Sequence, residues 1–360
     1  MKKKSLFYIV LAAVMILVSS CGQEEYTKRD GEFYDTFDTH IIFSAYTKSE
    51  DEFKNYFKIV KDDFTRLHKL YDLYNDYEGV NNIKTINDQA GIAPVEVDQE
   101  IIDLIKFSKE EAEKYSNKTN IAMGPVLKLW HETRTEGIKE PEKAVLPSME
   151  ALEEAKKHTD LSKVIIDEDK KTVYLEEKEM SLDLGATAKG YATQIVVDHL
   201  KKEGVDSAII SAGGNVEAIG KPLDSDREKW GIGLQNPIAV EDETAEKLFD
   251  VVFANNKAVV TSGDYQRYYT VDGQRYHHII DPDTLMPGDY YRAVTVVADD
   301  SGTADFISTT LFLLPMEEGK ALAEKAGIDV LWYLKDNSTV STPGMDQMLK
   351  NKGARATDND

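Results

Sequence analysis

Residues 50–74 place Phe53, Phe57, Val60, Phe64, Leu67, Leu70 and Tyr71 three and four positions apart. That spacing gathers apolar side chains on one stripe and predicts an amphipathic helix. Just before it, residues 34–46 alternate and are rich in Phe, Ile and Thr, the period of a strand. A second helix is predicted near 99–115, and a third starts after Gly124-Pro125, because proline suits a first helical turn. From residue 160 the period switches repeatedly: short strands at 164–166, 173–175 and 181–184 lead to a helix over 189–203. Strands at 208–211 and 216–220 flank Gly213-Gly214. Further strands follow at 251–254, 258–261, 268–271, 293–298 and 330–333, with helices near 303–313 and 317–326 between them. This order predicts an α+β fold of mixed or antiparallel sheets with flanking helices. There is no internal repeat, and residues 346–360 lose their periodicity and read as a flexible tail.

Composition narrows the class. Hydrophobic residues make up 41% and aromatics 9% of 360 positions, enough for a sizeable core. The 43 Lys plus Arg against 65 Asp plus Glu give a formal charge of -22, which argues against a protein that tracks nucleic-acid phosphates. A single cysteine excludes internal disulfides and a Cys-rich zinc site.

That cysteine has a telling place. Lys2, Lys3 and Lys4 precede an apolar run at 6–18, too short for a comfortable membrane span, and Val18-Ser19-Ser20-Cys21 follows at once. The pattern resembles a bacterial lipoprotein signal over residues 1–20, with Cys21 lipidated after cleavage and residues 21–32 as a polar tether. An ordinary signal peptide with an incidental cysteine is the alternative. Cleavage removes three lysines and no acid, so the remainder is still more acidic and is repelled by anionic headgroups. The expected location is the outer face of the bacterial cytoplasmic membrane, held by acyl chains.

Four constellations carry candidate chemistry. In Asp183-Leu184-Gly185-Ala186-Thr187-Ala188-Lys189-Gly190, small residues lead into a helix start, where backbone amides favour phosphate. Two glycines in such a turn equally serve packing, but a cation at Lys189 is mildly unfavourable beside the positive helix end unless an anion lies near. Gly213-Gly214 is either a plain hairpin turn or a backbone surface for a ligand. Thr261-Ser262-Gly263-Asp264-Tyr265 precedes His277-His278-Ile279-Ile280-Asp281-Pro282. Neighbouring strand residues point to opposite faces, so at most one histidine serves a given site. His278 is the candidate general base and His277 is expected at the solvent. Asp305 and Thr309 lie four apart on a predicted helix, where carboxylate and hydroxyl can share an ion; oxygen donors of this kind suit Mg2+ or Ca2+. Alone, that pair is also the pattern of a solvated helix face.

Taken together and in order, these segments resemble the FAD:protein FMN transferases of the ApbE type. The likeness spans roughly 33–345, taken as the catalytic domain. It rests on Asn120-Ile121-Ala122-Met123-Gly124-Pro125 with Trp130, on the Asp183 to Gly190 turn and Gly213-Gly214, on Thr261 to Tyr265 and His278 to Pro282, and on Ala304-Asp305 with Thr309. The resemblance implies a T-fold-related architecture and Mg2+-dependent transfer of FMN from FAD to a Thr or Ser hydroxyl of an exported or membrane flavoprotein, releasing AMP. By position it implies metal ligation by Ala186 through its carbonyl, Asp305 and Thr309 with Ser308 nearby, and FAD contacts from Phe37, Tyr74, Lys118, Thr119, Asn120, Asp183, Lys189 and Ile280. His278 would take the proton of the incoming hydroxyl. The chain departs from the family where Asn120 replaces a common Asp, where Phe37-Asp38 replaces a common Met-Gly, and at Leu285-Met286, the first of which is often Gly. Two other readings use the same residues: a surface FAD pyrophosphatase, with water as the acceptor, and a lipid-anchored solute-binding protein that needs neither base nor metal.

Overall fold

The computed structural model describes residues 25–224 and 226–357, so the leader and Cys21 lie outside the described residues. The chain opens with strands β1 (Thr27–Thr36) and β2 (Thr39–Thr47) and helix α1 (Glu50–Tyr71). Ser49 caps α1 by accepting the Glu52 N–H, three acids fill its first turn, and its apolar stripe is buried as the spacing predicts. Next come α2 (Ile83–Asp88), β3 (Val95–Glu96), α3 (Gln99–Lys114), α4 (Gly124–Lys139), α5 (Met149–Lys156), β4 (Val164–Asp167), β5 (Thr172–Leu175) and α6 (Ala188–Lys202). The remainder alternates β6 (Ala208–Ala212), β7 (Asn215–Ile219), β8 (Trp230–Gln235), β9 (Leu248–Ala254), β10 (Ala258–Gly263), β11 (Tyr268–Val271), β12 (Gln274–His277) and β13 (Tyr291–Ala298). Helices α7 (Ser301–Phe312) and α8 (Met316–Ala326), strands β14 (Asp329–Leu334) and β15 (Thr339–Ser341), and the short α9 (Pro343–Asp346) complete it.

Eight strands form one antiparallel sheet in the order β1-β2-β6-β7-β10-β13-β14-β15. Strand alternation splits its core in two. Val260, Val294, Val296, Val330 and Trp332 point to α7 and α8, while Val259, Ala293, Val297, Leu331 and Tyr333 point to the β8–β9 hairpin. A third apolar cluster packs α1, α3 and α6 on β2 and β6. The fold is α+β with antiparallel sheets and flanking helices, as expected.

Four local expectations are corrected. Residues 34–46 are two strands, turned at Phe37 and Asp38, whose φ angles of 54° and 48° make a two-residue hairpin turn without glycine. β1 begins at Thr27 and pairs with β2 from its first residue, so strand reaches into the stretch read as tether. Residues 181–184 form no ladder: the Asn87 side chain accepts from Leu182 N and donates to its carbonyl, and Asp183 N donates to Ile121 O, so their polar groups are satisfied without one. The C-terminal residues are packed, with Leu349 1% exposed in the β8–β9 core and the Glu228 N–H donating to Ala356 O at 2.7 Å. Short elements such as α2, α5 and β8 escape the sequence because their apolar positions are few; β8 alternates, but two of its outward positions are glycine.

Leu349→Ala is expected to destabilise the fold by about 2–4 kcal/mol, because the space beneath β9 does not refill. Urea unfolding reads this directly; a loss below about 1 kcal/mol would mean the C-terminal residues carry little of the core.

Candidate active site

The turns of two neighbouring hairpins meet at one end of the large sheet. Gly213 and Gly214, with φ of 57° and 97°, turn β6 into β7, and a Cβ on Gly213 would lie 1.9 Å from Thr39 Oγ1 beside the β1–β2 turn. Glycine is therefore required here both by φ and by space. With the end of β10, the start of α6 and the side of α4, these turns line a cleft of about 400 Å3, within the range of ligand sites.

One corner is made of oxygens. Asp305, 5% exposed, projects from α7 and accepts the Gly190 N–H of α6 at 2.8 Å. A Cβ at Gly190 would sit 2.3 Å from Ser301 O, so glycine alone permits this crossing of α6 and α7. Gly190 is the third residue of α6, so its N–H has no acceptor inside the helix, and Asp305 supplies one; Ala186, just before the helix, lines the cleft. Thr309 lies one turn after Asp305 and shares a 3.3 Å contact with Ser262 Oγ. Asn215 also bonds Asp305, yet its own Oδ1 is buried without a partner. A carboxylate, a hydroxyl, a main-chain carbonyl and an orphaned amide oxygen fit a hard divalent cation that keeps water or phosphate in its shell. No cluster of three His, Cys, Asp or Glu suited to a metal exists among the described residues, so softer transition metals find no comparable set.

Burial pushes the Asp305 carboxyl up, and Lys189, the Gly190 N–H and Asn215 pull it back. Burial likewise draws the Lys189 ammonium down, while Asp305 and Asp183 oppose this. Each is the other's counter-charge, the anion that the position of Lys189 at a helix start called for.

Most candidate residues line this cleft: Phe37, Tyr74, Lys118, Thr119, Asn120, Asp183, Ala186, Lys189, His278, Ile280, Asp305 and Thr309. Ser308 does not; it is fully buried, donating to Asp305 O at 3.0 Å and sharing a 2.8 Å bond with Ser262 behind the wall. Several of the others are already engaged. Lys118 binds Asp281 and Asp283 at 2.7 and 2.8 Å, and the buried Thr119 hydroxyl shares a bond with Thr310. Asn120 accepts the Ala122 N–H and donates to Thr159 O, so an amide serves here at both ends. Phe37 sets its ring edge-on to His68 and Phe64, whereas Tyr74 is half exposed at the rim. Leu285 takes φ of 61°, which accounts for a preference for glycine there; its buried side chain and the Trp130 Nε1 bond to its carbonyl offset the strain.

The two histidines do face opposite ways, but His277 is buried, not at the solvent. Its ring bonds Gly288 O and the Ile279 N–H, because the loop after β12 folds back over it. His278 faces the cleft, its backbone N–H on Arg267 O at 3.1 Å and its Nδ1 buried without a partner. Burial holds its imidazole well below the ordinary value, reinforced by Arg267, His277, Arg134 and Lys189.

Arg134, Arg267, His131, Asn215 and Ser262 also line or brace the cleft and were not picked out as site residues. Ser262 lies inside the Thr261 to Tyr265 motif, and Asn215 directly follows Gly213-Gly214. For Arg134 the available signal was its position four after Trp130 on one helix face.

The model of the ApbE family matches residues 37–332. The chain is 36% identical over 282 residues to the FAD:protein FMN transferase of Klebsiella pneumoniae (strain 342), covering 77% of this chain and 83% of that protein. It is 34% identical over 286 residues to the FAD:protein FMN transferase of Treponema pallidum, covering 76% of each. Among solved structures, the apbe protein of Thermotoga maritima superposes with a TM-score of 0.76 at 28% identity, over 90% of this chain and 99% of that one. The flavin transferase ApbE of Vibrio cholerae, at 22% identity, shares the fold with a TM-score of 0.73 over 90% and 99% of the two chains.

In NMR titrations the His278 ring signals are expected to stay at their neutral positions through pH 6.5 and to move only well below it. The unfolded imidazole takes up a proton at higher pH than the folded one, so this residue subtracts from stability as pH falls below 6.5. A titration centred at the ordinary histidine value would show the ring to be solvated.

Proposed function

The chain belongs to the ApbE family, and on that premise we propose that it is an FAD:protein FMN transferase, moving FMN from FAD to a Thr or Ser hydroxyl of a target flavoprotein and releasing AMP. The observation that carries this is the pairing, in one cleft, of the Ala186, Asp305 and Thr309 oxygens with a neutral His278 whose Nδ1 is unpartnered. A solute-binding site has no need of both. Mg2+, held by the Ala186 carbonyl, Asp305 and Thr309, would screen the pyrophosphate charge as a Lewis acid. Ser308 supports this corner from behind.

The protein groups then have separable tasks. Tyr74 and Phe37 offer ring surfaces for a flavin or adenine, and Asn120, Thr119 and Ile280 shape the wall. Neutral His278 accepts the proton of the acceptor hydroxyl as its oxygen bonds to the FMN-side phosphorus. The bond from that phosphorus to the bridging oxygen breaks, and the oxygen leaves on AMP. Lys189 stabilises charge on the departing phosphate. The acceptor is expected to be an exported or membrane flavoprotein, since Cys21 and the leader before it support a lipid anchor on the outer face of the membrane.

His278→Ala is expected to lower kcat by roughly 10²-fold or more with FAD affinity retained, and Asp305→Ala to remove Mg2+-dependent turnover. Intact mass spectrometry of an FMN-binding domain bearing an acceptor Thr checks both, with the gain of esterified FMN lost in EDTA. Free FMN and AMP without a mass gain would point to hydrolysis, and weakened FAD binding with normal turnover would remove His278 as the base. Separately, Cys21→Ser should move the protein from the membrane to the soluble fraction; unchanged membrane retention would rule out the anchor.

A further inference from the structure

Cations in an acidic chain are usually spoken for, and Lys118 shows how: two aspartates hold it. Arg134 and Arg267 break that pattern. Both line the cleft, and among the described residues neither has a salt-bridge partner. Arg134, half-buried on α4, reaches the neutral His131 Nδ1 at 3.1 Å, which also receives Tyr74 OH at 3.4 Å. Arg267, exposed on the loop between β10 and β11, gives its carbonyl to the His278 N–H. The two guanidiniums oppose each other's charge, and both act on His278. Asp183 is the acid whose charge reaches Arg134, but it forms no salt bridge with it, and like charges held facing one space are stabilised by an anion entering it.

We propose that Arg134 and Arg267 form an anion subsite that grips the FMN-side phosphate of FAD, the one transferred, leaving the AMP-side phosphate to the Lys189–Asp305 corner. This rests on the transferase reading, which requires the attacked phosphorus to lie within reach of a hydroxyl bonded to His278. That places the FMN phosphate beside the two guanidiniums, whose forked donors match phosphate oxygens. His131 holds the Arg134 fork in place.

The test is calorimetric titration of the full chain and of Arg134→Gln and Arg267→Gln with FMN, riboflavin and AMP. Each variant is expected to weaken FMN by about tenfold, with riboflavin and AMP changed by less than about twofold. Weakened AMP with unchanged FMN would overturn the assignment, as would unchanged FMN with a raised KM for the acceptor, which would make an acidic acceptor group the occupant. No measurable FMN binding by the parent chain would overturn it too. Arg267 is exposed on its loop, so its variant tests the idea even where Arg134→Gln disturbs α4. Binding needs no turnover: FMN gripped through these arginines by a chain that transfers nothing would keep the subsite and remove the transferase reading.

Discussion

The hydrogen bond from Gly190 N to the Asp305 carboxylate is the constraint on which the site depends. It exists because a residue with no side chain stands where α6 meets α7, and nothing larger fits between Ser301 O and the Asp305 Cβ. One bond then fixes two groups: it aims Asp305 at the first turn of α6 and sets Lys189 beside that carboxylate. The platform beneath is rigid for an independent reason. α7 is buried on nearly every side between α6 and strands β10 and β13, so the oxygen corner stands on core packing, not on a loop.

The rest of the cleft is an electrostatic exception within an acidic molecule. Outside it, lysines and arginines sit mainly in surface pairs worth little individually. Inside it, Lys189 has only partial compensation, and Arg134 and Arg267 have none by direct contact. Four aspartates, Asp38, Asp72, Asp183 and Asp305, line the same cleft, so these cations act on an anion locally and not through a net positive charge of the site. Lys118 differs in kind: with Asp281 and Asp283 it ties the His278–Asp281 segment to the wall, a positioning task performed by charge.

Much of this was legible in the sequence, and the failures have physical causes. The α1 stripe and the alternating strands follow from period, because each buries one face, whereas α7 around Asp305 is an apolar run buried on nearly every side. The Asp-x-x-x-Thr pair was ambiguous because helical spacing says which residues share a face, not what covers it; α7 being inside the protein decides that. Strand alternation correctly set His277 against His278 but could not show that the Gly288 loop closes over the former. The C-terminal residues looked aperiodic because Met345 and Leu349 act as isolated plugs in the β8–β9 core, not as an element with a repeat. The meaning of Arg134 and Arg267 was not legible, because it lies in having no salt-bridge partner among the described residues, which only three dimensions reveal.

The same cations that recruit an anion also make His278 a weaker base, and the two effects belong together. Burial first, and then the charges of Arg267, Arg134 and Lys189, keep the imidazole neutral and its proton affinity low. On the transferase reading, a bound pyrophosphate places negative charge among those cations, and the Coulomb argument that depressed the imidazole now runs in reverse. Proton affinity rises when the phosphorus to be attacked is in place, which couples base strength to occupancy without any movement of the backbone. The coupling also gives Arg134 and Arg267 a reason to lack a salt bridge, because an acid in direct contact would neutralise them and remove it.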